Sequence, residues 1–402
     1  MRSGALLRLG QMRVRILVVA ALLSGLSLGG CTSAVRSDTP GSTPAQSRQA
    51  GYVPEQHYTT SSTHEAWTLG GQPVEITLTR PSGNARFPLV IYLPGLGESS
   101  SAGAAWRQAW AQAGYAVLSL QSPSNGESLW SSPQARRGDF SDIAREHFAR
   151  ESLAARLEML RNLLDEINRR GNTAAFAMVD NSRIALAGFD IGAQTVMAAA
   201  GETGYDPVPF ALPRAVKCVI ALSPYADPAG APFEQRFATI HVPVLSITSL
   251  DDMDPYGLLT AAKLRRIPFE YMPPGQKYLL SLADAPHALI AGKETPSPEG
   301  SALAQNDSAR STSSDGAASP TSSGHHRGDS GGAQRGRRSS NGADAAKSFT
   351  VSAEAWKAQL AKVQGVTTAY LDATLRNDGV ASERLGRDAQ RWLSAEAELI
   401  VK

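Results

Sequence analysis

The alternation of apolar and polar positions divides the chain into strand-like runs, helix-like stretches and segments with no apolar period. Apolar runs of strand length occur at "PVEITLTR", "FPLVIYLPG", "AVLSLQSP", "RIALAG", "AVKCVIALSP" and "VPVLSIT", with one further strand expected at "FEYMPP" or "KYLLSL". Between them, "SAGAAWRQAWAQAGY" places Trp106 and Trp110 four apart on one helix face. "AQTVMAAAG" is a helix of small residues suited to close packing. The long segment "FSDIAREHFARESLAARLEMLRNLLDEINRRG" keeps helical spacing until Gly171. A last helix is expected around "AEAWKAQLAKVQGVTTAYLDATLRND". Strands that are apolar throughout and alternate with helices predict an α/β domain, a mostly parallel sheet covered by helices on both faces.

Two stretches fall outside this pattern. Residues 31–65 are rich in Ser, Thr, Pro and Gln and read as a flexible tether. Residues 293–346, including "SSGHHRGDSGGAQRGRRSSNGADAAK", lack the apolar residues to fold alone and read as a disordered insertion. His325 and His326 and the "RGD" at 327–329 are better explained as parts of that solvated tract than as a metal or adhesion site. The domain is therefore assigned to 66–292 and 347–402. At 42% hydrophobic residues the chain as a whole can build a sizeable core. The formal net charge of +2 gives no reason to expect nucleic acid as a partner.

The beginning of the chain carries an address. Arginines at 2, 8, 13 and 15 surround the start of "ILVVAALLSGLSLGG", which ends at Cys31 and is short for a spanning helix. Residues 1–30 read as an export signal, with Met12 an alternative start. "LGGC" resembles the lipobox of bacterial lipoproteins, which implies cleavage before Cys31 and its lipidation. Thr32, where that family has aspartate for inner-membrane retention, implies sorting to the outer membrane of a two-membrane bacterium, facing periplasm or surface. The other cysteine, Cys218, sits in an apolar strand and reads as an inert core residue, so no disulfide is expected.

The chemistry-bearing stretches come in a fixed order: "YLPGLGESS" after an early strand, "GFDIG" between a strand and a small-residue helix, "SLDDMDP" after a late strand, and "ADAPHALIAG" beyond the last. This order resembles the α/β-hydrolase superfamily, in particular the lidless branch of dienelactone hydrolases, platelet-activating-factor acetylhydrolase-like enzymes and cutinases. The resemblance implies an α/β-hydrolase fold without a separate cap domain. In it, Gly188 and Gly192 flank the nucleophile position of the elbow, which is occupied by Asp190 instead of serine. The N–H groups of Leu96 and Ile191 would form the oxyanion hole, His287 would be the base, and Asp252 the acid, with Asp251 and Asp254 as alternatives. His147 and His241 fall outside this order.

A carboxylate at the elbow changes the chemistry. Attack on an ester would give an anhydride, whereas attack on saturated carbon gives an enzyme ester that water can hydrolyse. Epoxide hydrolases and haloalkane dehalogenases, which use aspartate this way, carry a helical cap, and residues 225–242 are too few for one; the excursion at 122–145 is short and polar. The expectation is a membrane-anchored hydrolase of small ester or related substrates with an altered triad of Asp190, Asp252 and His287. The alternatives are a non-catalytic surface binding protein, and an aspartate-nucleophile hydrolase acting on an epoxide or alkyl halide. Expected partners are a small-molecule or lipid-like substrate and, through the anchor, a membrane; no cofactor or metal is expected.

Overall fold

A computed structural model of the chain describes residues 51–296 and 352–402, apart from 172, 174, 175, 205–207 and 229. The export signal, Cys31, the first part of the tether and the low-complexity stretch from 297 lie outside these residues. The described residues fall in one compact unit.

The elements follow the alternation of the sequence. Strands β1 (Thr60–Leu69), β2 (Gln72–Pro81) and β3 (Phe87–Leu93) lead into helix α1 (Ala104–Gln112) and strand β4 (Ala116–Gln121). Then come helices α2 (Phe140–Phe148) and α3 (Arg150–Arg170), strand β5 (Val179–Phe189), helix α4 (Ile191–Ala200), and strands β6 (Val216–Leu222), β7 (Val244–Ser249) and β8 (Lys277–Leu282). Helix α5 (Ala353–Leu375) and strand β9 (Ala397–Val401) close the fold.

The nine strands form one sheet in the order β1-β2-β4-β3-β5-β6-β7-β8-β9. From β4 to β8 all neighbours are parallel, while β1, β2 and β9 pair antiparallel at the two edges. The period of two along a strand assigns each residue to a face. On β3, Leu89, Ile91 and Leu93 pack with Leu157, Leu160 and Leu163 of α3 and with Val196 and Met197 of α4. Val90 and Tyr92 face the other way, toward Trp106 and Trp110 of α1 and Val363, Val366 and Tyr370 of α5. Both faces are thus covered, which is why these strands carry no polar alternation.

Four local expectations change. Strand β1 begins at Thr60, inside the stretch read as tether, because it pairs over its whole length with β2. The long helical segment is two helices, broken at Ala149, whose extended backbone (φ −62°, ψ 160°) turns α3 back under the sheet. Of the two candidates for the late strand, "KYLLSL" forms β8, and the "FEY" of the other ends a short helix, Ile267–Tyr271. Strand β9 was not expected at all; it is short and half exposed, and only pairing with β8 makes it a strand. Lys293 and Trp356, on either side of the undescribed stretch, are joined by a 2.9 Å hydrogen bond from the indole N–H to the Lys293 carbonyl. Among the described residues no helix is long and apolar enough to cross a membrane.

Candidate functional site

The site lies at the C-terminal ends of β3, β5, β6, β7 and β8, the edge where parallel sheets gather their loops. At its centre the chain turns from β5 into α4 at Asp190, with φ 54° and ψ −113°, a conformation that costs a non-glycine residue about 1–3 kcal/mol. The turn is held from both ends: the Asp190 N–H donates to Leu222 O (3.0 Å), and its carbonyl accepts the first helical bond from Gln194 (3.0 Å). Gly188 and Gly192 are required by space. A Cβ at 188 would come within 2.3 Å of the Gly192 carbonyl, and one at 192 within 2.0 Å of Leu93 O.

The Asp190 side chain is only 2% exposed. One donor reaches it, the Leu96 N–H, at 3.5 Å from Oδ2. Burial pushes its carboxyl above the usual range; the charges of His287 and Arg265 and the Leu96 donor work against that, and Asp254 adds to it. Ile191, the first residue of α4, has an N–H with no intrahelical acceptor, as the oxyanion role requires.

Asp252 and His287 are joined directly, Nδ1 to Oδ1 at 2.7 Å. Asp252 is fully buried, and every face of its carboxylate is occupied. Ser223 Oγ donates to it at 2.8 and 2.9 Å, Thr248 Oγ1 at 2.8 Å, and the Arg265 guanidinium lies 3.4 Å from Oδ1. Burial alone would raise this carboxyl, but Arg265, His287 and Ser223 outweigh it and hold the group below the ordinary value. Arg265 is clamped in turn by Asp252 O (3.0 Å) and Ser223 O (2.9 Å). Ser223 adopts a positive φ of 51°, which carries its hydroxyl under the acid. Of the three neighbouring carboxylates, Asp252 is the one bonded to His287: Asp251 is exposed, and Asp254 accepts the N–H groups of Tyr256 and Leu259 in its own turn. The His287 ring packs on Phe189, centroids 4.7 Å apart, which sets the pair beside the elbow.

The loop carrying Leu96 is fixed on all sides. Gly95 N–H donates to Glu98 Oε2 (2.8 Å), Gly97 N–H to Asn125 O (2.8 Å), the Trp130 indole to Gly97 O (3.1 Å), and the Tyr256 hydroxyl to Leu96 O (3.2 Å). Two of these partners, Asn125 and Trp130, come from the excursion at 122–145, read as short and polar, which runs on to Phe148. It folds into short turns and α2 and lays Leu129, Trp130 and Phe148 over Leu96 and Ile191, with Tyr225 and Tyr256 completing an apolar cover. Trp130 stacks on Tyr256 at 6.0 Å and 24°. This small cover belongs to the domain itself. Arg156 ties cover to elbow, donating to His147 O (2.6 Å), Thr195 Oγ1 (2.8 Å) and Gln194 Oε1. Burial lowers its guanidinium to about 9 against the opposing charge of Asp190.

The structure therefore gathers Asp190, Asp252, His287, Leu96, Ile191, Gly188 and Gly192 at one edge; Cys31 lies outside the described residues. His241 is exposed and His147 bonds Asn125 (2.8 Å). The Cys218 thiol is buried, which pushes it up to about 12. Among the described residues no group of three or more His, Cys, Asp or Glu side chains is arranged to hold a metal ion. Surface depressions of about 340 and 310 Å³ lie elsewhere, beside Gln108 and Lys357 and beside Tyr52 and Arg183. Sequence reading missed Glu98, Trp130, Ser223, Thr248, Tyr256 and Arg265. Ser223 and Thr248 stand at strand ends, a position that signals them; Arg265 lies in "AKLRRIP" and nothing separates it from its exposed neighbours. The sequence matches no protein-family model and no curated protein.

Proposed function

We propose that the protein is an α/β-hydrolase-like enzyme in which Asp190 is a carboxylate nucleophile acting at saturated carbon, with His287 and Asp252 activating the water that releases the product. Parallel order from β4 to β8, the elbow after β5, the acid after β7 and the histidine after β8 support the fold assignment.

The observation that carries the reading is the Leu96 N–H bound to Asp190 Oδ2. In acyl transfer by a serine, that donor must be free for the substrate's oxygen. Here the nucleophile's own oxygen occupies it, so an ester substrate would find the donor taken and would lead to an anhydride. Displacement at saturated carbon needs no oxyanion donor in its first step. In the second step, water adds to Asp190 Cγ, and the charge develops on the oxygen that Leu96 already holds. His287, oriented through Nδ1 by Asp252, takes the water's proton on its other ring nitrogen. This ranks hydrolysis of an epoxide or alkyl halide above the ester reading. The apolar cover supplies the dry, closed surroundings in which a carboxylate is a strong nucleophile.

The test is a single turnover of styrene oxide or a primary alkyl bromide in ¹⁸O-water. Label in the Asp190 carboxylate, together with a trapped alkyl ester in His287→Gln, is the expected result. Turnover of p-nitrophenyl esters with no label at Asp190 would overturn it in favour of ester hydrolysis. The burial of Asp190 under the cover favours a second reading, a non-catalytic binding protein. Its signature is an inert wild type whose Asp190→Ser variant gains esterase activity. The anchoring at Cys31 is part of the proposal: radiolabelled fatty acid should enter the exported protein, and Cys31→Ala should abolish the label.

A further inference from the structure

Consecutive peptide N–H groups of one loop are taken by two carboxyl groups. Gly95 donates to Glu98 Oε2 at 2.8 Å, and Leu96 donates to Asp190 Oδ2 at 3.5 Å. Glu98 is half-buried, and its backbone is fixed by Gln121, whose amide donates to Glu98 O (2.9 Å) and Gly95 O (3.1 Å). A flexible surface glutamate would not be held on both its main chain and its side chain. We propose that Glu98 is the acid partner of Asp190, delivering a proton to the ring oxygen of an epoxide as Asp190 attacks its carbon. The assignment rests on the nucleophile reading of Asp190 and narrows its substrate class, because a halide leaves without a proton whereas an epoxide oxygen needs one.

The proton ledger closes. As the Asp190 oxygen bonds to carbon, the carbon–oxygen bond of the ring breaks, its electron pair passes to the ring oxygen, and that oxygen takes the Glu98 proton. Water then gives a proton to His287 and adds to Asp190 Cγ. The tetrahedral species expels the diol oxygen, which takes the proton back from His287. Asp190 is left as a neutral carboxylic acid, and its proton restores Glu98 on the neighbouring amide. The sum is epoxide and water to diol.

Of the neighbouring donors, Tyr256 and Arg156 are committed elsewhere, while the buried Tyr92 hydroxyl has no hydrogen-bond partner among the described residues and is the rival to Glu98. The Tyr256 hydroxyl donates to Leu96 O and is held well above its ordinary pKa by burial and by the nearby carboxylates. Arg265 and Arg156 are spent on Asp252, Ser223 and Gln194. Glu98, by contrast, has its carboxyl pushed up to about 7, first by loss of solvent and then by Asp190, against the Gly95 donor, Lys293 and His287. The charge of Glu98 also acts on Tyr92, whose hydroxyl is already held by burial well above its ordinary value. A carboxyl that keeps its proton near neutrality, held on the amide next to the one that binds Asp190, is the acid that acid-plus-nucleophile chemistry requires.

The experiment is single-turnover alkylation of Asp190 in the full chain, followed by mass spectrometry, with styrene oxide and a primary alkyl bromide as probes. Glu98→Gln keeps an acceptor for Gly95 but has no proton to give; its folding is checked by thermal melt, and Glu98→Asp, which keeps the acid on a shorter arm, is the second variant. Alkylation by the epoxide should fall about hundredfold or more in Glu98→Gln, far more than alkylation by the bromide, with partial recovery in Glu98→Asp. In the wild type the epoxide rate should decline as pH rises through about 7, and Glu98→Gln should lose that limb. Equal slowing with both probes, or an unchanged epoxide rate, overturns the role of Glu98 alone. A wild type alkylated by neither probe overturns the nucleophile reading and this assignment with it.

Discussion

Two buried carboxylates of one site, one bonded to His287 and the other under the influence of its charge, are treated in opposite ways. Asp252 has two hydroxyl donors, an imidazole and a guanidinium around it, so its buried charge is stabilised and its proton affinity lowered. Asp190, nearly as buried, has one long N–H bond, a positive φ and a raised proton affinity. Both halves carry a positive φ, at Ser223 and at Asp190, but only in the Asp252 half does it bring a hydroxyl donor to the buried carboxylate. That contrast is what a reactive carboxylate beside a fixed acid–histidine pair requires, since a fully solvated or fully bonded Asp190 would be a poor nucleophile.

The comparison is broken most forcefully at Asp252. Asp252→Ala leaves the Arg265 guanidinium buried without its counter-charge. Chemical denaturation should show a loss of about 3–5 kcal/mol, and any turnover should fall by about 10³–10⁴ as His287 loses its orientation. Removing the strained side should act in the opposite sense on stability. Asp190→Gly relieves the turn and deletes a poorly solvated carboxylate, and should gain about 1–3 kcal/mol in the same measurement while abolishing alkylation.

The pH dependence of stability sharpens the contrast, because the two groups contribute with opposite sign. Asp252 has its folded pKa below the unfolded value of about 3.9. Its stabilisation is present above that value and is lost as pH falls through the folded pKa. Asp190, raised in the folded state, binds more protons folded than unfolded, so its contribution diminishes as pH rises from the unfolded value through the folded one. Urea titrations between pH 3 and 7 should therefore show a weaker acid loss in Asp252→Asn than in wild type, and a steeper one in Asp190→Asn. The smallest effect is reserved for the neighbour in sequence: Asp251→Asn, on an exposed side chain, should shift stability by no more than about 0.5 kcal/mol. A large effect at Asp251 would undo the choice of Asp252.

Much of the sheet was legible because its strands are apolar on both faces. "FPLVIYLPG", "AVLSLQSP" and "AVKCVIALSP" became β3, β4 and β6 with ends close to those read. Where the pattern is weaker, the reading was weaker too. "AELIV" is short and carries Glu398, and it is a strand only because β8 offers it a partner. The break at Ala149 leaves no mark in the periodicity, since both α2 and α3 keep their apolar faces. The excursion at 122–145 looked polar because Trp130 and Phe140 are scattered among Ser, Gly and charged residues; folding brings them and Phe148 into one cover.

The local sequence determined what depends on short range: the strand–turn–helix at 183–200 and the glycines at 188 and 192 that its turn requires. It did so because backbone sterics and apolar period act within a few residues. Three other matters were decided only by the fold: which of three aspartates meets His287, that Arg265 lies beneath the acid, and that Glu98 and Asp190 share adjacent amides. Each of these depends on groups 13 or more residues apart meeting in a dry space, as the separations of Arg265 from Asp252 and of Leu96 from Asp190 show. Burial and charge at such a point belong to the packed molecule and to no single stretch of the chain.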